Sequence, residues 1–181
     1  MVGPKLAGRK VNLRPLRDDD LDRRAEWLKD RETYELFTGS PPSRAYRRSD
    51  AEWWCENLEA DTQAVVFAIE TKTGRHIGDI DLHAIDQVDK TGKLTVLVGE
   101  KSAWDSGFGT DAIGTLLRHA FAELDLEQVK LRVFNFNKRA IRCYQKCGFR
   151  KTWDTADDLW LSSGGAETYM AVTKKRFLAY H

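Results

Sequence analysis

The sequence predicts an α+β fold, a mixed sheet of about seven strands flanked by four helices in the order βααβββαβαββ. Three observations carry this. Short alternating apolar runs, separated by turn residues, fill the stretch from residue 64 to residue 98. A longer pattern follows with one continuous apolar face: Ala112, Ile113, Leu116, Leu117, Ala120, Phe121 and Leu124. Beyond it, strand-like and helix-like segments alternate to the end of the chain. A length of 181 residues suits one domain, residues 1–181, with a sizeable core.

Each element has its own signal. Residues 9–16 alternate through Val11 and Leu13 and stop at Arg14-Pro15. Asp18, Asp19 and Asp20 supply the cap and first-turn acids of a helix carrying Leu21, Ala25, Trp27 and Leu28. Residues 30–48 read as irregular, with Tyr34 and Phe37 ahead of the breaker Gly39-Ser40-Pro41-Pro42. Ser49-Asp50-Ala51-Glu52 has the form of a capping box and opens a helix with Trp53, Trp54 and Leu58. Residues 64–71 form an apolar strand, and Lys72-Thr73-Gly74-Arg75 a hairpin turn. In residues 76–85, Ile80 and Leu82 share one face while Asp79, Asp81 and His83 share the other. Residues 94–98 are apolar on both faces, as a central strand requires. Residues 129–136 form a strand, Asn137 caps a short helix, and Gly148 ends it. Residues 149–153 and 167–173 are the last two strands.

Composition narrows the function classes. The formal charge is +1, from 29 basic and 28 acidic residues, which gives no support for nucleic-acid binding through bulk charge. No run approaches membrane-spanning length and the N-terminus lacks an apolar leader core, so a soluble, cytoplasmic protein is expected. The three cysteines, Cys55, Cys143 and Cys147, have no metal-type spacing. No metal is expected, and the thiols read as buried and structural.

The most informative segment is Trp104-Asp105-Ser106-Gly107-Phe108-Gly109-Thr110, set between the central strand and the amphipathic helix. The first turn of a helix leaves four N–H groups unpaired at the positive end of the macrodipole. Two glycines leave that turn little shielded, so it can take a phosphate or diphosphate without lysine or arginine. Asp111 in the same turn must point away from such an anion.

Three pieces together resemble the GNAT N-acetyltransferase superfamily, over nearly the whole sequence. The glycine segment resembles that family's acyl-CoA pyrophosphate loop. Residues 129–133 resemble its next strand, ending in Asn135-Phe136-Asn137. Residues 137–149, with Asn137, Tyr144 and Gly148-Phe149, resemble the helix motif that follows. Trp104 and Leu13-Arg14-Pro15-Leu16 resemble the branch of ribosomal-protein N-terminal acetylases and spermidine acetylases.

The resemblance implies a mostly antiparallel sheet and acetyl-CoA as acyl donor, with transfer to the primary amine of a small molecule or protein N-terminus by direct attack. In that family the central strand splays from its neighbour and pantetheine fills the gap, which implies that Leu97 and Val98 line the thioester channel. Trp104, Ser106, Gly107, Phe108, Gly109 and Thr110 would hold the diphosphate, with Asn137 and Arg142 near the pantetheine arm and CoA phosphates. The carbonyl would be polarised by a backbone N–H between residues 98 and 100. Tyr144 is the expected general acid: a thiol near pKa 8.5 and a phenol near 10 differ by roughly two units.

The base is the open position. An alkylamine of pKa about 10 is about one part in a thousand neutral at pH 7, a cost of roughly 4 kcal/mol. Many members of the branch carry a Glu where this chain has Lys93. Asp81 and Glu100 are candidate catalytic carboxylates for the base in its place, and Asp79 and His83 candidate acceptor contacts. The competing view of Asp79, Asp81 and His83 is a solvated strand face. Tyr34, Phe37, Trp53 and Trp54 form either an acceptor-site wall, Tyr34, Phe37 and Trp54 above all, or ordinary core. Lys93 also motivates an alternative class, a non-catalytic acyl-CoA-binding regulatory module. A homodimer is compatible with this architecture.

Overall fold

The computed structural model describes residues 4–154 and 166–180. One sheet of eight strands runs in the order β1-β2-β3-β4-β5-β6-β8-β7. The strands are β1 Leu6–Ala7, β2 Val11–Arg14, β3 Val65–Thr71, β4 His76–Asp86, β5 Thr91–Val98, β6 Gln128–Phe134, β7 Arg150–Asp154 and β8 Glu167–Thr173. The helices are α1 Asp18–Lys29, α2 Arg31–Thr38, α3 Arg48–Ala60, α4 Phe108–Ala122, α5 Lys138–Lys146 and α6 Lys174–Tyr180. Every strand pairing is antiparallel except β5 with β6. The α+β class and the central place of residues 94–98 therefore hold, while the expected element counts fall short by β1, α2 and α6.

Sequence chemistry explains each helix start. Arg17 and Arg47 occupy the cap positions of α1 and α3, and Asp20 and Asp50, three residues on, accept from their backbone N–H at 2.7 and 2.8 Å. The acids at 18–20 thus all lie inside the first turn, and the start of α3 precedes Ser49. The stretch expected to be irregular holds α2, capped by Asp30, whose carboxylate accepts from Thr33 N at 2.9 Å. It stops at Gly39, whose φ of +82° is open to glycine at little steric cost.

The sheet separates two cores. On one face, Ile80, Leu82, Leu94, Leu131 and Val133 pack with Ile113, Leu116, Leu117 and Phe121 of α4, Tyr144 of α5 and Phe177 of α6. The other face meets α1, α2 and α3: Trp27 and Leu28 pack on Leu97, and Leu21 packs with Ala51 and Cys55. The polar face of β4 is consequently covered, with Asp79 and Asp81 only 2% and 4% exposed.

That burial is offset by an ion-pair network. Arg14 binds Asp20 at 2.6 Å and Glu70 at 2.5 Å, His76 bridges Asp20 at 3.1 Å and Asp79 at 3.0 Å, and Arg24 binds Asp79 at 2.7 Å. Arg24 also lies 3.5 Å from the centre of the Trp54 ring. Charges this deep persist only when paired.

Candidate active site

The site begins with a divergence of strands. β5 and β6 pair only at Thr91–Gln128, Gly92–Val129 and Lys93–Lys130, and beyond Lys93 they part. Five β5 residues past that point, about 17 Å of strand by its rise, run unpaired on this side. The wedge between them opens a cavity of about 1050 Å³ walled by β5, β6, α2, α4 and α5.

The N-terminus of α4 faces into that cavity. Gly107, at φ +80°, is its cap residue and offers no side chain to its N–H groups. Gly109 and Thr110 also line the cavity. Asp111 turns away: its carboxylate accepts from the backbone N–H of Arg9, Lys10 and Val11 at 3.1, 2.7 and 3.0 Å. Burial works against its charge, but those three donors outweigh it and hold its pKa below the usual carboxylate value. The loop is further pinned by the Lys10 ammonium on the Ser106 carbonyl at 2.8 Å. An uncapped helix start aimed at a wedge fits a diphosphate whose pantetheine arm lies along β5.

The remaining expected donor residues divide. Leu97, Val98, Trp104, Asn137 and Arg142 line the cavity, whereas the side chains of Ser106 and Phe108 do not. The Ser106 hydroxyl is spent on the Trp104 carbonyl at 3.2 Å, and Phe108 lies under Lys10. Trp104 donates from its indole to the Val98 carbonyl at 2.6 Å, and Arg139 lies 3.5 Å from a Trp104 ring centre. Its role is thus to tie the loop to the end of β5. Asn137 caps α5 by accepting from Ala140 N at 3.1 Å and donates to the Leu36 carbonyl of α2 at 3.2 Å.

Tyr144 lines the cavity from the α4–α5 face, 7% exposed and edge-on to Phe149 with ring centres 5.8 Å apart. Burial, followed by the neighbouring Cys143 and Cys147 thiols, raises its pKa above the ordinary phenol value, so it stays protonated at neutral pH.

Two expectations for the base and the carbonyl are corrected. Glu100 does not line the cavity. It binds Arg23 and Arg75, each at 3.0 Å, and accepts from Ser102 at 3.1 Å. Its backbone N–H is also committed, to the Ile77 carbonyl at 3.1 Å, which leaves residues 98 and 99 of the expected segment for carbonyl polarisation. Asp79 belongs to the buried network and is no acceptor contact. Asp81 lies behind His83, whose Nδ1 is 2.7 Å from Asp81 Oδ1, and only His83 of the pair lines the cavity.

The aromatic wall also divides. Phe37 lines the cavity, Tyr34 packs toward Tyr46, Trp54 supports Arg24, and Trp53 is 67% exposed. Arg44 and Arg48, two of the basic residues between α2 and the start of α3, are spent on ion pairs, Arg44 with Asp50 and Arg48 with Asp18, Asp22 and Glu52. Cavity residues not expected to take part include Thr33, Leu36 and Thr38 of α2, Lys130 and Arg132 of β6, and Glu167 and Tyr169 of β8. For the β6 and β8 residues the signal was their period-two alternation, which places them on the His83 face.

A wedge in a mixed sheet, with a bare helix start at its mouth, defines an acyltransferase class of site. Residues 10–150 match the acetyltransferase (GNAT) domain family, and the chain belongs to that family. It is 27% identical to the mouse and human alpha/beta-tubulin-N-acetyltransferase 9 proteins, over 81% of its own length in each case. It spans 64% of the mouse protein and 75% of the human one. Among solved structures it superposes on spermidine N-acetyltransferase from Vibrio cholerae, determined with CoA and spermine, at a TM-score of 0.79 and 19% identity, covering 93% of this chain and 98% of that one. It superposes equally on Mycobacterium smegmatis RimJ in complex with CoA-disulfide, TM-score 0.79 and 20% identity, covering 96% and 87%. These two likenesses establish the fold. Among the described residues no helix is long and apolar enough to cross a membrane.

Proposed function

We propose that this protein is an acetyl-CoA-dependent N-acetyltransferase that acylates a primary amine by direct attack, with Tyr144 as general acid. The observation that carries the reading is the parting of β5 and β6 beyond Lys93 beside the uncapped start of α4. Bound acetyl-CoA supplies an activated acyl group there. Backbone N–H groups of Phe108, Gly109 and Thr110 hold the diphosphate, and the exposed edge of β5 orients the pantetheine arm. The amine enters from the α2 face and the phenol stands on the α5 face, so the leaving sulfur takes its proton on the side opposite attack. Cys143 is not needed as an acyl carrier.

The walls also bear on the acceptor. Among the described residues the α2-side wall carries Lys93, Lys130 and Arg132 against one acid, Glu167, which pairs with Arg132 at 3.3 Å. Asp79 and Asp81, which would attract a polycation if free, are committed to Arg24, His76 and His83. This charge arrangement favours a peptide N-terminus or an amine bearing an anionic group over a polyamine. A mass-shift screen of pooled polyamines, amino sugars, amino acids and N-terminally free peptides with acetyl-CoA tests the reading. An acetylated peptide or anionic amine is the expected product. Absence of any thermal stabilisation by acetyl-CoA far above micromolar concentration refutes it.

A further inference from the structure

We propose that His83, held by the buried carboxylate of Asp81, is the general base that takes the proton from the acceptor amine. The proposal rests on the transferase reading above and supplies the group that reading lacks.

Geometry comes first. Asp81 and His83 are two apart on β4, so both side chains leave the sheet on one face, toward α1, α2 and α3. Asp81 is 4% exposed, while His83 is about one-third exposed and walls the cavity. The 2.7 Å contact joins His83 Nδ1 to Asp81 Oδ1. An ionised carboxylate only accepts, so Nδ1 carries the proton and Nε2 the lone pair. Asp81 thereby fixes both tautomer and ring plane, the job of the acid in a nucleophile–histidine–acid array.

Position comes next. The register partner of His83 on β5 is Lys93, the last β5 residue paired with β6. His83 therefore stands at the apex of the wedge, where an arm laid along β5 from the α4 start must end. Tyr144 walls the same cavity from the other face of the sheet. Base and acid thus flank the reacting carbon from opposite faces.

The surrounding charges set the direction of the effect. Lys93 on β5 and Lys130 on β6 stand on the His83 face of the sheet and line the same cavity. Burial raises the Asp81 pKa while His83 and Arg24 pull it down, and as the carboxylate Asp81 stabilises the imidazolium once formed. The α2 residues of this wall, Thr33, Leu36, Phe37 and Thr38, carry no titratable group. Lys93 also discourages an ammonium next to it, which eases deprotonation of the acceptor.

The acceptor ammonium gives one proton to His83 Nε2. The neutral amine forms the C–N bond, the C–S bond breaks, and the thiolate takes the Tyr144 proton. The second nitrogen proton returns to the phenol through solvent, and His83 releases its own to water.

The test uses purified full-length protein, acetyl-CoA and an equimolar pool of N-terminally free peptides, with thiol release followed across pH 5.5–9.5, a range of roughly four units around the histidine value. Acetyl-CoA binding is followed separately by thermal shift. His83→Gln is expected to lose about 10²-fold or more in kcat/KM and the limb of the pH profile that rises through the histidine range, with acetyl-CoA binding kept. Asp81→Asn is expected to lose rate with its own fold intact, and added imidazole to restore turnover in His83→Ala. Retention of the rising limb and of near-normal kcat/KM in His83→Gln overturns the base while leaving the transferase reading in place. Loss of rate that imidazole does not restore also overturns it. A wild-type protein that binds acetyl-CoA yet releases no thiol with the pool overturns both.

Discussion

Replacing Gly109 by alanine should make the protein more stable and its donor site worse. Gly109 is the second residue of α4, in ordinary helical backbone. A Cβ built there lies 3.4 Å from Val98 Cγ2 and 3.6 Å from Cys143 Sγ, both normal contact distances, so the methyl fits the fold. Removing a helical glycine is worth about 0.5–1 kcal/mol, or about 1–4 °C in Tm for a chain of this size. The same methyl lies between Val98 of β5 and Cys143 of α5, both cavity residues, and on the proposed donor site it narrows the space beside the α4 start. A ligand at a hundredfold excess over Kd stabilises by about 2.7 kcal/mol, and a tenfold loss of affinity removes about 1.4 of it. Thermal melts with and without acetyl-CoA, at one concentration set to a hundred times the wild-type Kd, read both effects. The expected result is a higher Tm alone and roughly half the acetyl-CoA increment. A full-sized increment in the variant refutes the assignment of the α4 start as donor cradle, and a lower ligand-free Tm refutes the packing argument.

Tyr144→Phe keeps the edge-on contact with Phe149 and removes only the hydroxyl. It should cut kcat about 10²-fold with acetyl-CoA binding unchanged, and undiminished turnover in steady-state assays counts against the acid role. Asp111→Asn loses charge-assisted bonds from three backbone donors and should cost about 2–3 kcal/mol at pH 7 in urea unfolding. Because the folded pKa of Asp111 is depressed, its contribution is full above the unfolded value near 3.9 and vanishes as pH falls through the folded value. The gap between wild type and variant should therefore close below about pH 4, and a gap constant with pH contradicts the linkage. Arg24→Met leaves buried Asp79 with His76 alone and should cost about 3–5 kcal/mol, most of it recovered in the Arg24→Met, Asp79→Leu double variant. Additive losses in the double variant would show that the pair is not the origin of the cost.

Much of this architecture was readable in the residues, and the exceptions have physical causes. β4 and α4 declare themselves through their side-chain periods, and β3 through a continuous apolar run buried on both faces. The wedge does not: Lys93, Leu94, Thr95, Val96 and Leu97 alternate in the same way whether or not β6 lies alongside, since pairing is a backbone property. α2 was hidden by its neighbours. Its Asp30 cap and Gly39 stop were visible, but the apolar positions Tyr34 and Phe37 are too few to make a stripe. α6 begins with Lys174, Lys175 and Arg176, charges adverse to a helix start. Burial of Phe177 and the bond from Arg176 Nε to the Gly148 carbonyl at 2.8 Å outweigh that penalty. In the cavity wall, the places of Gly107 and Gly109 follow from their position at a helix start, and that of Tyr144 was signalled only by the resemblance of the helix motif that carries it. Glu100 misled because its partners, Arg23 and Arg75, come from distant segments.

The parted strands also have a mechanical meaning. Within the sheet, β1 to β5 form one plate and β6, β8 and β7 another, hinged at the three residue pairs that end at Lys93 and Lys130. Across the open end a clasp joins the plates. Asn137 beside β6 donates to Leu36 of α2, and the Phe134 ring lies against Gly39, where any Cβ would come within 2.2 Å of it. The width of the slot is therefore set by a pivot at one end and a latch of one amide and one ring at the other. A side chain at position 39 would spring that latch without touching either reactant, and would be felt as a slot of the wrong gauge.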